Sequence, residues 1–99
     1  MKYRLFVRRS AKADVRSAAR RYEVQQPGLG REFVAEVDAA LRRVAENPLQ
    51  YQVLHRGARR AIVHRFPYGA FYRVEASNVV VFCVSHLHRD PASWKVRVG

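Results

Sequence analysis

Residues 68–87, YGAFYRVEASNVVVFCVSHL, decide how this chain folds. Val79-Val80-Val81-Phe82-Cys83-Val84 is apolar at every position, so it reads as a central strand, spanning Val79 to Leu87, that needs cover on both faces. Tyr68 to Glu75 alternates instead, with Tyr68, Ala70, Tyr72 and Val74 on one face and Gly69, Phe71, Arg73 and Glu75 on the other. Ala76-Ser77-Asn78 carries turn residues, which makes the two runs a hairpin. Upstream, Ala58 to Arg65 reads as a further strand, with Arg60, Ile62 and His64 on one face and Arg59, Ala61, Val63 and Arg65 on the other. Phe66-Pro67-Tyr68-Gly69 joins it to the hairpin, with the corner at Pro67-Tyr68.

The first half has helical periodicity. Pro27-Gly28 with Gly30 is the clearest breaker, and beyond it Leu29, Phe33, Val37, Leu41 and Val44 recur every three or four residues. Pro48 stops this helix, with Asn47 as its cap. Before the breaker, Ser10 can cap a helix that carries Val15, Ala18, Ala19 and Tyr22 on one side and runs to about Gln25. Tyr3 to Val7, between Lys2 and Arg8-Arg9, suits a short strand. The order β-α-α-β-β-β predicts an α+β fold, an antiparallel sheet packed against an N-terminal helical hairpin, as a single domain over residues 1–99.

Nineteen Lys+Arg against eight Asp+Glu give a formal charge of +11, and every cation except Lys2, Lys12 and Lys95 is arginine. Guanidinium groups offer a rigid fork of donors and a stackable plane, which suits nucleic acid or an acidic protein partner. Cys83 is the only cysteine, so an internal disulfide is excluded and a cytoplasmic location is expected. The amino terminus lacks the apolar run of a secretory signal, and no segment has the length of a membrane span, so no membrane partner is expected.

Several chemistries are set aside by the motifs. Gly28-Leu29-Gly30 lacks both the preceding strand and the third glycine of a dinucleotide fingerprint, and neither a phosphate-binding loop nor a Ser/His/Asp set is present. His86 and His88 share a face, but no third ligand stands at metal-binding spacing, so neither a metal nor a cofactor is expected. Asp14, Glu23, Glu32, Glu36, Asp38 and Glu46 lie in the helical half and read as i,i+4 partners of its arginines. Trp94 reads as a ring folded back to seal an edge. On pattern alone the arginines among the strand aromatics leave two readings open: a platform that grips RNA or an acidic segment, or a solvated rim over a core.

Taken together, Pro27-Gly28-Leu29-Gly30-Arg31-Glu32-Phe33, Asn47-Pro48, Tyr51, Arg59-Arg60, Arg65-Phe66-Pro67-Tyr68, Phe71-Tyr72-Arg73 and Val84 to Pro91 with Trp94 resemble the RelE/ParE superfamily of type II toxins. The likeness covers nearly the whole chain and is closer to the ParE branch. It implies a small basic toxin neutralised by a cognate antitoxin, of ribbon-helix-helix type, in a hetero-oligomer. For the ParE branch it implies inhibition of DNA gyrase without catalysis. The RelE branch implies instead ribosome-dependent cleavage of messenger RNA, and the absence of a tyrosine after the last strand departs from that branch. A third reading is a non-toxic module that only binds its antitoxin and co-represses with it.

The residues expected to meet the target are Arg59, Arg60, Arg65, Tyr68, Arg73, His86, Arg89 and Trp94. Tyr22, Phe33, Arg60 and Arg73 are expected to meet the antitoxin. No catalytic residue is expected for a gyrase inhibitor; a nuclease would use His86, His88, Arg65, Arg73 and Arg89.

Overall fold

The structure, a computed structural model, describes residues 3–98; Lys2, placed beside the first strand in the sequence reading, lies outside them with Met1 and Gly99. The predicted hairpin forms from helix α1 (Arg9–Gln25) and helix α2 (Leu29–Glu46). Gly28 makes the reversal at φ +90, a left-handed conformation that costs glycine little. Gly30 sits where the helices touch, and a Cβ there would lie 2.5 Å from the Ala19 carbonyl oxygen. Only glycine lets the backbones approach this closely. The Glu23 carboxylate accepts from the N–H groups of Gly28 at 2.9 Å and Gly30 at 3.1 Å, so one helix's end satisfies the open start of the next.

Among the described residues there are also five strands, β1 (Arg4–Val7), β2 (Val53–His55), β3 (Ala58–Ile62), β4 (Tyr68–Glu75) and β5 (Asn78–His86), in the order β1-β5-β4-β3-β2. The apolar run thus lies between two neighbours, as its composition demands. β1 runs parallel to β5, from Arg4 opposite Asn78 to Val7 opposite Val81, so the sheet is mixed where the sequence reading made it antiparallel. A parallel neighbour needs a long crossover, and the helical hairpin begins that connection.

Three local departures from expectation have local causes. β2 is an addition: it pairs with β3 through Arg56 and Gly57, both at positive φ, a two-residue turn matched to strand twist. β3 stops at Ile62 instead of Arg65, because Arg65 adopts φ +72 and Phe66 turns into the core. Ser10 lies inside α1 and caps nothing; its hydroxyl instead donates to the Phe82 carbonyl at 3.2 Å.

The sheet's two faces are both covered. On one face Tyr72, Val79, Val81 and Val84 pack against Phe33, Val37 and Val44 of α2. The buried Tyr72 hydroxyl donates to the Pro48 carbonyl at 2.6 Å, tying the end of α2 to the sheet, and burial raises its pKa. On the opposite face lie Ala58, Phe71, Phe82, Cys83, Trp94 and Val98. Phe82 is the extra residue of a β-bulge, since Tyr72 pairs with Val81 and Phe71 with Cys83. The bulge puts Phe82 and Cys83 on the same side. Helix α3 (Ala92–Lys95) lays the Trp94 indole over Phe71, centroids 4.6 Å apart and planes 19° from parallel, closing that face.

Candidate functional site

β1 is only four residues long and pairs β5 no further than Val81, which leaves the edge of β5 from Phe82 to His86 without a neighbouring strand. Helix α1 lies along this bare edge. Its Ser10, Asp14, Ser17 and Arg21 follow at helical spacing beside the apolar stripe of Ala11, Val15, Ala18 and Tyr22, so they form a polar seam at the helix–sheet boundary. Ser10 supplies a donor to the bulge carbonyl. Asp14 accepts from the Val84 N–H at 3.0 Å, doing for this edge what a missing strand would do.

Asp14 is also gripped by Arg97, with contacts of 2.7 and 3.3 Å that raise the Arg97 pKa. The sequence reading made Asp14 an i,i+4 partner within its own helix, and likewise Glu23, Glu32 and Glu36. The structure corrects these four: Asp14 holds the carboxyl-terminal segment, Glu23 caps α2, and Glu32 and Glu36 pair with Arg65 at 2.6 and 3.7 Å.

Past Asp14 the seam opens into a pocket of about 60 Å³ lined by Asp14, Ser17, Arg21, Tyr68, Val84, Ser85, His86 and Arg89. It continues into a shallower groove of about 340 Å³ walled by Arg21, Tyr68, His86, His88 and Arg89. Arg21 is aimed by two hydrogen bonds, to the Ser17 hydroxyl at 2.9 Å and the Tyr68 hydroxyl at 3.0 Å. The Tyr68 and His86 rings stand 5.2 Å apart, and those of His86 and His88 5.3 Å apart. The His88 N–H donates to His86 Nδ1 at 3.1 Å, so that imidazole is fixed with its other nitrogen free for a ligand.

The remaining expected site residues scatter. Arg59 is spent on the Leu49 carbonyl at 3.3 Å and the Tyr51 carbonyl, clamping the loop after α2. Arg60 lies on the opposite face, its stem across Gly69, where a Cβ would meet the Arg60 Cδ at 2.8 Å. Arg65 stands over the Phe66 ring and pairs with the α2 carboxylates. Arg73 is bound to Glu75 at 2.7 Å and to the Val98 carbonyl, and it pairs across from Val80. Along β4 that is about 17 Å from Tyr68, which pairs with His86. Trp94 is 8% exposed and Phe33 is wholly enclosed, so neither ring is presented to a partner. Tyr22 keeps a partly open edge while packing on Phe33, Phe66 and Tyr68.

Cys83 supplies no nucleophile: burial pushes its thiol up to about 11, which keeps it protonated at neutral pH. Among the described residues no group of three or more His, Cys, Asp or Glu is placed to hold a metal ion, and no helix is long and apolar enough to cross a membrane. Ser17 and Arg21 were the residues that sequence reasoning missed. The signal was present as four polar residues at helical spacing bordering an apolar stripe, on a helix that looked merely basic.

The profile of the family described as "ParE toxin of type II toxin-antitoxin system, parDE" matches residues 5–91. Among solved structures, the chain is similar to one from the chromosomal ParDE toxin–antitoxin system of P. aeruginosa. The TM-score is 0.78 at 19% identity, covering 86% of this chain and 96% of that one. It is also similar to a chain of the RelBE2 toxin–antitoxin complex of Mycobacterium tuberculosis, with a TM-score of 0.61 at 24% identity, covering 87% and 99%. No curated protein sequence matches it.

Proposed function

Since the chain belongs to the ParE toxin family of type II toxin–antitoxin systems, we propose that it arrests growth by inhibiting DNA gyrase without catalysing a reaction itself. The observation that carries this reading is the dispersal of the cations a nuclease would need. Arg65 is drawn to α2 by Glu32 and Glu36, and Arg73 is held at the far end of β4 by Glu75 and Val98. Cleavage of RNA asks for an acid, a base and a charge stabiliser converging on one phosphate. Of the five residues a nuclease would use, His86, His88 and Arg89 come together with Arg21 beside them, while Arg65 and Arg73 are held away from that group.

In this reading the target meets the accessible part of the expected set: the exposed Arg65 and Arg89 and the half-buried Arg60 and His86, with the rim of Tyr68. Arg59 and Arg73 position the loop after α2 and the carboxyl-terminal segment, and Trp94 anchors the latter. The cognate antitoxin, of ribbon-helix-helix type, neutralises the toxin by laying an acidic, amphipathic tail along the hairpin. An apolar groove lined by Val7, Val15, Val37 and Leu41, with Lys12, Arg16 and the single carboxylate of Asp38 around it, suits such a tail, and steering by the +11 charge speeds its capture.

A ribosome-dependent nuclease is the second reading, and the adjacency of His86 and His88 is what favours it. The two are separated by the double variant His86→Ala, His88→Ala, which is expected to stop growth on induction as strongly as the parent. Loss of toxicity in a variant that still folds and still binds antitoxin would transfer the chemistry to the histidines and sink the non-catalytic reading.

A further inference from the structure

We infer that the pocket at the bare edge of β5 binds one phosphate group of a nucleic-acid strand. Most of the side chains in its walls are donors. Arg21 and Arg89 contribute guanidinium groups, Ser17 and Tyr68 hydroxyls, and His86 an imidazole with a free nitrogen. The backbone adds one more. The Val84 N–H faces α1, as its bond to Asp14 shows, and strand alternation turns the His86 N–H the same way, into the pocket.

Electrostatics select an anion. Asp14 is the only carboxylate in the lining, and Arg97 already neutralises it through two hydrogen bonds. Arg21 and Arg89 have no carboxylate partner among the described residues, whereas Arg65, Arg73 and Arg97 each have one. A volume of about 60 Å³ is several times what one water occupies by the same measure, which is room for a tetrahedral oxyanion. Two arginine forks set around one small cavity match phosphate geometry.

The groove beyond the pocket says what carries the phosphate. It is shallow and open, so a strand can lie along it, and the paired His86 and His88 rings at its wall offer a face on which a base can stack. The pocket shares His86, Arg89 and the rim of Tyr68 with the surface proposed above to meet gyrase, but phosphate binding is measured on the chain alone. Gyrase inhibition can hold with this pocket empty, and phosphate can bind here without any effect on gyrase.

The test is an NMR titration of the purified chain with inorganic phosphate at constant ionic strength, followed by oligothymidylate and oligouridylate of equal length. Saturable shifts confined to Arg21, His86, His88, Arg89 and Ser17 are expected. Arg21→Gln with Arg89→Gln is expected to weaken phosphate binding about tenfold or more, the loss of one to two charge-assisted hydrogen bonds. Arg20→Gln with Arg42→Gln removes the same charge from exposed helix positions and is expected to change binding less than about twofold. Arg89→Gln alone, at an exposed residue with no described side-chain partner, guards against a folding artefact.

Equal weakening by the two double variants would reduce the effect to net charge and overturn the site. So would shifts spread over the whole basic surface. Phosphate binding with no binding of either oligonucleotide would overturn the assignment to nucleic acid, while a preference for one of them identifies the strand.

Discussion

Replacing Phe33 with alanine is expected to remove about 3–5 kcal/mol of stability, the usual loss when a large buried ring is truncated. Phe33 has no solvent exposure and sits at the centre of an aromatic cluster. Tyr68 stands 4.9 Å away, Phe66 5.2 Å and Tyr22 5.3 Å. The cluster joins the start of α2, the end of α1 and the Phe66-Pro67 corner, so a hole there cannot collapse without moving three elements. Small domains have only about 5–15 kcal/mol in total. The thermal midpoint, followed by circular dichroism, is therefore expected to fall by roughly 12 °C or more. Because the ring is not at the surface, the fraction that stays folded is expected to bind antitoxin as the parent does. A variant of parental stability that binds antitoxin poorly would make Phe33 a surface anchor and contradict the packing.

Trp94→Ala is expected to cost a similar 3–5 kcal/mol, from the opposite face of the sheet. The indole is stacked on Phe71, has His55 at its edge at 6.2 Å and shares a cluster with Val98. Its removal also frees the segment that brings Arg97 to Asp14 and the Val98 carbonyl to Arg73. Denaturant unfolding read by far-ultraviolet circular dichroism measures the loss. Trp94→Phe, which keeps an aromatic ring against Phe71, is expected to retain most of the stability, within about 1.5 kcal/mol of the parent. If Trp94→Ala proved as stable as the parent but no longer toxic, the ring would be a target contact and not a core residue.

What could be read from the sequence follows from how strong each local pattern is. The boundaries of β4 were legible because Phe66-Pro67 and Ala76-Ser77-Asn78 bracket it, and those of α2 because its apolar repeat ends at Pro48. β5 was legible as a central strand from composition, but not its bulge, since a run apolar at every position looks the same with or without an extra residue at Phe82. β2 escaped because Val53-Leu54 is too short to alternate and Arg56-Gly57 is not the Asn-Gly or Asp-Gly pair that marks such turns. The direction of β1 was hidden too. A strand's sequence records its burial, while its parallel pairing with β5 is decided by the route of the chain between them.

For the candidate site, the histidines and Arg89 were visible at a strand end, and the aromatic-flanked arginines were visible as a group. Their division was not. Arg65 and Arg73 differ from Arg89 in having carboxylates or carbonyls within reach; Glu75 is two residues from Arg73, but Glu32, Glu36 and the Val98 carbonyl lie far along the chain. Arg21 looked like one cation among many on α1. Its role appears once the short β1 leaves β5 open and the polar seam of the helix falls against that edge.

The most direct test of the gyrase reading is made with purified components: the chain, DNA gyrase, ATP and supercoiled plasmid, stopped with detergent and protease. Accumulation of linear plasmid that had been covalently trapped on gyrase, and its disappearance when antitoxin is added first, is the result expected. Supercoiling that proceeds unchanged, together with messenger RNA cut in the ribosomal A site when the same preparation meets translating ribosomes, would contradict it.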